Sequence, residues 1–208
     1  MSSLIRLLQK SLGASSLALA LVSVQPSISS GKNETATFAG GCFWGVESVF
    51  RHLNGVKSAV SGFAVPATDA APWGPASRLA TYAEAVRVEY DPSKITYRQL
   101  LDVFFRVAHD PTQVDRQGPD VGPEYRSIVF ANDEAQATVI KGVIDSLRSS
   151  GTYHRPIVTE ILLLKKFNEA EEAHQNYVAK NPHSNYVLSF DAPKLQQLQK
   201  DYASLYRN

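Results

Sequence analysis

A β-leaning run, two glycines and a helical pattern meet between Thr35 and Leu53, and no other stretch restricts the chain as much. Thr35 to Ala39 is short, apolar and suited to a strand. Gly40-Gly41 allows a tight backbone turn. From Phe43 onward, Val46, Val49, Phe50 and Leu53 are spaced for one buried helix face. A strand must therefore run almost directly into a helix. The turn brings Cys42, the only cysteine in 208 residues, to the helix start. Free N–H groups and the helix dipole favour negative charge there, so the thiol is expected to ionise readily. A lone cysteine can equally be a small, inert core residue. A core residue, however, needs neither the Gly-Gly before it nor the Phe43-Trp44 after it.

One cysteine excludes an intrachain disulfide, so stability has to come from an apolar core. At 208 residues, 44% hydrophobic and 20% charged, the chain is long enough for one good-sized domain. A formal net charge of +1 gives no electrostatic case for nucleic acid. The first residues differ in kind. Arg6 and Lys10 are the only charges before Lys32, an apolar stretch runs from Leu12 to Val24, and Ser27-Ile28-Ser29 suits cleavage. This reads as a signal peptide over 1–29, followed by a single domain over 30–208 that is secreted or periplasmic. With Arg, Ser and no acids, the segment also fits an organellar transit peptide. It is too short and too rich in serine to span a membrane.

The remaining chain alternates elements. Leu53-Asn54-Gly55 ends the first helix, and Val56 to Val65 reads as a strand. Pro66 to Ala80 reads as a loop carrying Trp73. Tyr82 to Tyr90 alternates, which puts Glu84 on the same face as Val86 and Val88. A carboxyl on a buried face is pushed toward its neutral form; a Glu at a strand end can also simply reach water. Thr96 and Gln99 form a capping box for a helix with Tyr97, Leu100, Leu101, Phe104, Phe105 and Ala108 on one side. A long irregular loop follows from His109 to Pro123, carries Asp120 and leads to Tyr125; loops of this kind are usually functional. Tyr125 to Ala131 is a strand, Asn132 caps a helix, Ile157 to Leu164 is a strand, Glu169 to Lys180 a helix and Lys194 to Tyr202 a short helix. The order implies an α+β, two-layer sandwich with a ferredoxin-like, split βαβ core and a long irregular C-terminal tail. The histidines are scattered and Cys42 belongs to no Cys-x-x-Cys, so no metal site is expected. A Cys–His hydrolase would need a histidine beside Cys42, and no spacing selects one.

Gly41-Cys42-Phe43-Trp44-Gly45-Val46-Glu47 resembles the signature of the peptide methionine sulfoxide reductase A family. Ala83-Glu84, His109-Asp110-Pro111-Thr112, Arg116-Gln117-Gly118, Asp120, Tyr125-Arg126-Ser127 and His174-Gln175 extend the resemblance in order across about residues 35 to 190. It implies a two-layer α+β fold and a Cys42 thiolate that attacks the sulfoxide sulfur of free methionine sulfoxide or of oxidised proteins. Glu84 would protonate the oxygen, Tyr125 would hydrogen-bond it, and Asp120 would orient the pocket. Phe43 and Trp44 would pack on the S-methyl group. The product is a sulfenic acid on Cys42, formed from one sulfoxide epimer, the S form in this family.

No bound cofactor is expected, and the chain is expected to act as a monomer. Many members carry further cysteines near the C-terminus that resolve the sulfenic acid; here none follows Pro182. The reductant must therefore be an external thiol such as thioredoxin, glutaredoxin or glutathione. A pocket tyrosine of the loop after the second strand has no clear match, and Trp73 is nearest in spacing. Thr81-Tyr82 replaces the family's Gly-His before Ala83-Glu84. These departures leave open a catalytically weak member that binds sulfoxidised segments.

Overall fold

The computed structural model describes residues 33–67 and 82–208. The proposed signal segment over 1–29, Trp73 and most of the loop around it lie outside the described residues. Strand β1 (Glu34–Ala39) runs into helix α1 (Phe43–Arg51), as the junction requires. β1 lies between β3 (Ala83–Tyr90) and β6 (Ile128–Ala131), antiparallel to both. β2 (Val56–Pro66) pairs antiparallel with β3 along its length. β7 (Glu160–Glu169) then pairs antiparallel with β2 and parallel with β6.

The mixed α+β content is as the sequence implies, but the sheet does not stay open like one layer of a sandwich. β7 has a partner on each edge, so the order β1-β3-β2-β7-β6 returns to β1 and closes a barrel. One face packs on the helices through Phe38, Val86, Val88 and Val129. The other turns into the ring and carries Ala39, Ala64, Ala83 and Ala85 with Ile128, Phe130 and Leu162. A ring of five strands has a narrow interior, which small side chains suit.

Thr96 and Gln99 form the expected capping box at the start of α2 (Tyr97–Val103), which widens into a π-helical turn at Phe104–Ala108. β4 (Arg116–Gln117) and β5 (Asp120–Val121) make a small ribbon inside the long loop. Asp133 caps α3 (Glu134–Ser149), not Asn132, whose amide donates to Thr35 O of β1 at 2.9 Å.

The expected helix over Glu169 to Lys180 does not form. β7 continues to Glu169, a 3-10 turn covers Glu172–His174, and only α4 (Tyr177–Lys180) is α-helical. Tertiary hydrogen bonds override local propensity here. The Gln175 amide exchanges hydrogen bonds with both Ser61 N–H (3.0 Å) and Ser61 O (2.8 Å), and Asn176 takes a left-handed φ of 54°. The tail ends in a π turn at Val187–Asp191 and helix α5 (Ala192–Asp201), so it is less irregular than its sequence suggests.

Glu47 fastens these parts together. It is 1% exposed and accepts hydrogen bonds from Ser61 Oγ (2.9 Å) and Asn176 N–H (2.9 and 3.0 Å), with Arg51 at 3.6 Å. α1, β2 and the tail thus share one buried carboxylate. Glu47→Ala leaves the Ser61 hydroxyl and Asn176 N–H without their acceptor. It is expected to cost about 2–4 kcal/mol, read as a lower urea midpoint with an unchanged slope. An unchanged midpoint would show that the tail is held by other contacts.

Candidate active site

The turn between β1 and α1 needs its glycines for two reasons. Gly41 has φ +90°, a left-handed conformation, and a Cβ there would lie 2.5 Å from Gln117 Cβ. A Cβ on Gly40 would lie 2.8 Å from the His109 ring. His109 is itself fixed: its ring nitrogens reach Phe104 O at 2.9 Å and Ser127 Oγ at 2.6 Å. The turn is thereby pressed against the long loop, which brings Asp120 and Tyr125 toward the helix start.

Cys42 occupies the N-cap position of α1 and is 9% exposed. The thiol does not ionise readily, contrary to what its helix-terminal position implies. Burial pushes its pKa up to about 12; the Trp44 N–H and the Tyr186 hydroxyl act the other way but do not offset it, and negative charge on Glu84 and Asp191 adds to the rise. Desolvation of a thiolate here outweighs the helix-terminal donors.

Glu84 is half-buried on β3 and accepts a hydrogen bond from Phe43 N–H at 3.2 Å. The first amide of α1 thus serves the acid next to the thiol. Burial lifts the Glu84 pKa to about 7, against the pull of that hydrogen bond, with Asp120 and Glu124 pushing the same way. The carboxyl is held at the site and does not run out into water.

Tyr125 closes the 3-10 turn Pro123–Tyr125. Its hydroxyl is raised to about 12, first by burial and then by the charges of Glu84, Asp120 and Cys42. It is a hydrogen-bond donor at neutral pH.

The aromatic wall involves the tail. Phe43 is 3% exposed and lies 5.7 Å from the Phe63 ring. Trp44 stacks on Tyr177 at 3.6 Å, meets Tyr186 edge-on at 5.7 Å and donates from Nε1 to His174 Nδ1 at 3.2 Å. Tyr186 is a site residue that the sequence reading missed. Its hydroxyl lies against the Cys42 thiol and donates to Asp120 Oδ2 at 2.5 Å. It stands in a tail with no strand or helix period around it, so no local signal marks it. Among the described residues, no group of three His, Cys, Asp or Glu is placed to hold a metal ion. A thiol, a carboxylic acid near half-protonation, a phenol and an aromatic wall converge instead. Such a set can attack an electrophilic atom while protonating the oxygen bound to it.

The comparisons with known proteins agree on one family. A family model described as peptide methionine sulfoxide reductase matches residues 34–205. "Peptide methionine sulfoxide reductase MsrA 2" of Mesorhizobium japonicum is 46% identical over 175 residues, covering 84% of this chain and 90% of its own. The MsrA of Natronomonas pharaonis is 46% identical over 170 residues, covering 81% and 95%. The crystal structure of Mxr1 from Saccharomyces cerevisiae in reduced form is similar with a TM-score of 0.62 and 35% identity, covering 74% of this chain and 88% of that one. Mxr1 in complex with Trx2 is similar with a TM-score of 0.51 and 30% identity, covering 70% and 85%.

Because the charge on Glu84 opposes a thiolate at Cys42, Glu84→Gln should make the thiol easier to ionise. The pH midpoint of Cys42 alkylation by iodoacetamide is expected to fall by about one pH unit. An unchanged or higher midpoint would mean that the two groups are not electrostatically coupled.

Proposed function

This chain belongs to the peptide methionine sulfoxide reductase A family, and we propose that Cys42 is its nucleophile and Glu84 its proton donor. The reaction is the reduction of methionine sulfoxide in peptides, without a bound cofactor and with a thioredoxin-like protein as electron donor. The observation that carries the assignment is Glu84, half-protonated near neutral pH and hydrogen-bonded to the amide next to the thiol.

In the resting site the thiol carries its proton and Glu84 titrates near pH 7. Passing the thiol proton to Glu84 creates the thiolate and the neutral acid together, so two negative charges never stand side by side. The thiolate electron pair attacks the sulfoxide sulfur. Glu84 gives its proton to the oxygen, which is a poor leaving group until protonated. The sulfur–oxygen bond breaks, the oxygen ends on Cys42 as a sulfenic acid, and methionine departs. Tyr125 donates a hydrogen bond to the same oxygen. Asp120 orients the pocket through Tyr186. Phe43 and Trp44 form the wall for the S-methyl group.

The choice of substrate epimer follows the family: the S sulfoxide is the one reduced. As the sole cysteine of 208 residues, Cys42 must be regenerated by an external thiol. A thioredoxin-like protein is supported by the yeast relative's structure with Trx2; glutaredoxin or glutathione fits the same chemistry. The strand order β6-β1-β3-β2 supports a ferredoxin-like, split βαβ core to which β7 adds a fifth strand. The leader over 1–29 supports export or, alternatively, entry into an organelle, and the enzyme works as a monomer.

The test uses a peptide with racemic methionine sulfoxide and dithiothreitol, followed by chromatography. Conversion is expected to stop near half, to vanish in Cys42→Ser and to slow about 10²- to 10⁴-fold in Glu84→Gln. Activity surviving Cys42→Ser would refute the assignment. Binding without turnover in the unaltered protein would favour a weak member that only holds sulfoxidised segments.

A further inference from the structure

The tail brings a second buried acid to the nucleophile. Asp191 is 1% exposed, and among the described residues neither of its carboxyl oxygens has a hydrogen-bond partner. It is the last residue of the π turn that runs directly into α5, and its side chain caps neither helix. The carboxylate instead faces the first turn of α1. A Cβ on Gly45 would lie 2.2 Å from Asp191 Oδ1 and 2.7 Å from Lys194 Nζ, so only glycine permits this approach. The Lys194 ammonium stands 3.6 Å from Oδ1, beyond hydrogen-bond reach, and is 21% exposed. The pair therefore reaches from the buried start of α1 toward solvent.

A buried acid whose oxygens accept no hydrogen bond, and whose ion-pair partner Lys194 stands 3.6 Å away, calls for a functional explanation. The charged and titratable groups facing it are Lys194 on its own helix, Cys42 at the start of α1 and Asp120 on β5. Burial holds its carboxyl above the usual aspartate range, with Lys194 opposing this and Asp120 adding to it. In the sulfoxide step Glu84 already acts as the acid, and Asp191 has no task there.

We propose that Asp191 is a further catalytic residue, the base that takes the proton of the external thiol as that thiol attacks the Cys42 sulfenic acid. The proposal rests on the preceding reading that Cys42 becomes a sulfenic acid. At neutral pH an ordinary thiol is mostly protonated, and only the thiolate is an effective nucleophile. Asp191 accepts the thiol proton. The thiolate electron pair forms a sulfur–sulfur bond to Cys42, the sulfur–oxygen bond breaks, and the leaving hydroxide takes the proton back from Asp191 as water. A second thiol then attacks the mixed disulfide and releases reduced Cys42. Two external thiols are oxidised to a disulfide, and the Asp191 carboxylate is unchanged.

The experiment starts from full-length protein treated with one equivalent of a methionine sulfoxide peptide without reductant, with the Cys42 sulfenic acid verified by mass. If no sulfenic acid forms, the reading of the reaction fails, and that outcome is distinct from failure of the present proposal. The oxidised protein is then mixed rapidly with glutathione, protonated at neutral pH, or with 2-nitro-5-thiobenzoate, already ionised. Asp191→Asn is expected to slow the glutathione reaction by about 10²-fold and to leave the thiobenzoate reaction within about twofold, because an ionised thiol needs no base. In the variant the glutathione rate should rise with pH in step with its thiolate fraction.

An equal loss with both thiols, or no loss with glutathione, overturns the proposal. The unaltered protein provides a check that needs no variant. Across aliphatic thiols of rising pKa its rate at neutral pH is expected to stay within about tenfold. A decline in proportion to the thiolate fraction would show that no base assists.

Discussion

The hydrogen bond from Phe43 N–H to Glu84 ties the acid of one strand to the start of the helix that carries the thiol. A helix start has few free donors, and this one points at the acid of the neighbouring strand. Were that donor absent, burial would lift the acid further. With it, Glu84 sits near the middle of its titration at neutral pH, where it can both accept and give a proton. The neighbouring thiol remains protonated, which protects a lone cysteine from idle oxidation until a substrate arrives. A proton acceptor poised beside a reluctant nucleophile is a more economical device than a permanently ionised thiol.

The rest of the fold holds that pair in register. β3 carries Glu84 and α1 carries Cys42, and the tail locks α1 in place through Glu47, Asn176 and Gln175. The same tail then covers Trp44 with Tyr177 and brings the Tyr186 hydroxyl to Asp120. In a chain with one cysteine the C-terminal segment is thus not an idle appendage. It forms one wall of the site and determines which faces of Cys42 an outside thiol can approach.

Local features were legible where local rules decide them. The Gly40-Gly41 junction, the capping box of Thr96 and Gln99, and the face of Glu84 all follow from spacing, and the structure agrees with each. What spacing cannot reach are properties set by distant partners. Barrel closure depends on β7 having a free neighbour on both edges. The failed helix after Glu169 depends on Gln175 finding the Ser61 backbone more than a hundred residues away. The direction of the Cys42 shift depends on how much burial outweighs two donors, a balance of magnitudes that a pattern does not carry. Tyr186 and Asp191 are invisible for the same reason: their meaning lies in what folds over them.

Glu84 lies between Ala83 and Ala85, whose methyl groups turn into the narrow inside of the ring beside Ile128, Phe130 and Leu162. The two sides of that strand are therefore mechanically joined. A bulkier side chain inside the ring would push β3 outward and carry the acid away from the helix start. The tolerance of the chemistry to evolutionary drift is thus limited by a lining that no substrate ever meets. Substitutions there would register as catalytic lesions as well as losses of stability, although they touch no reacting atom.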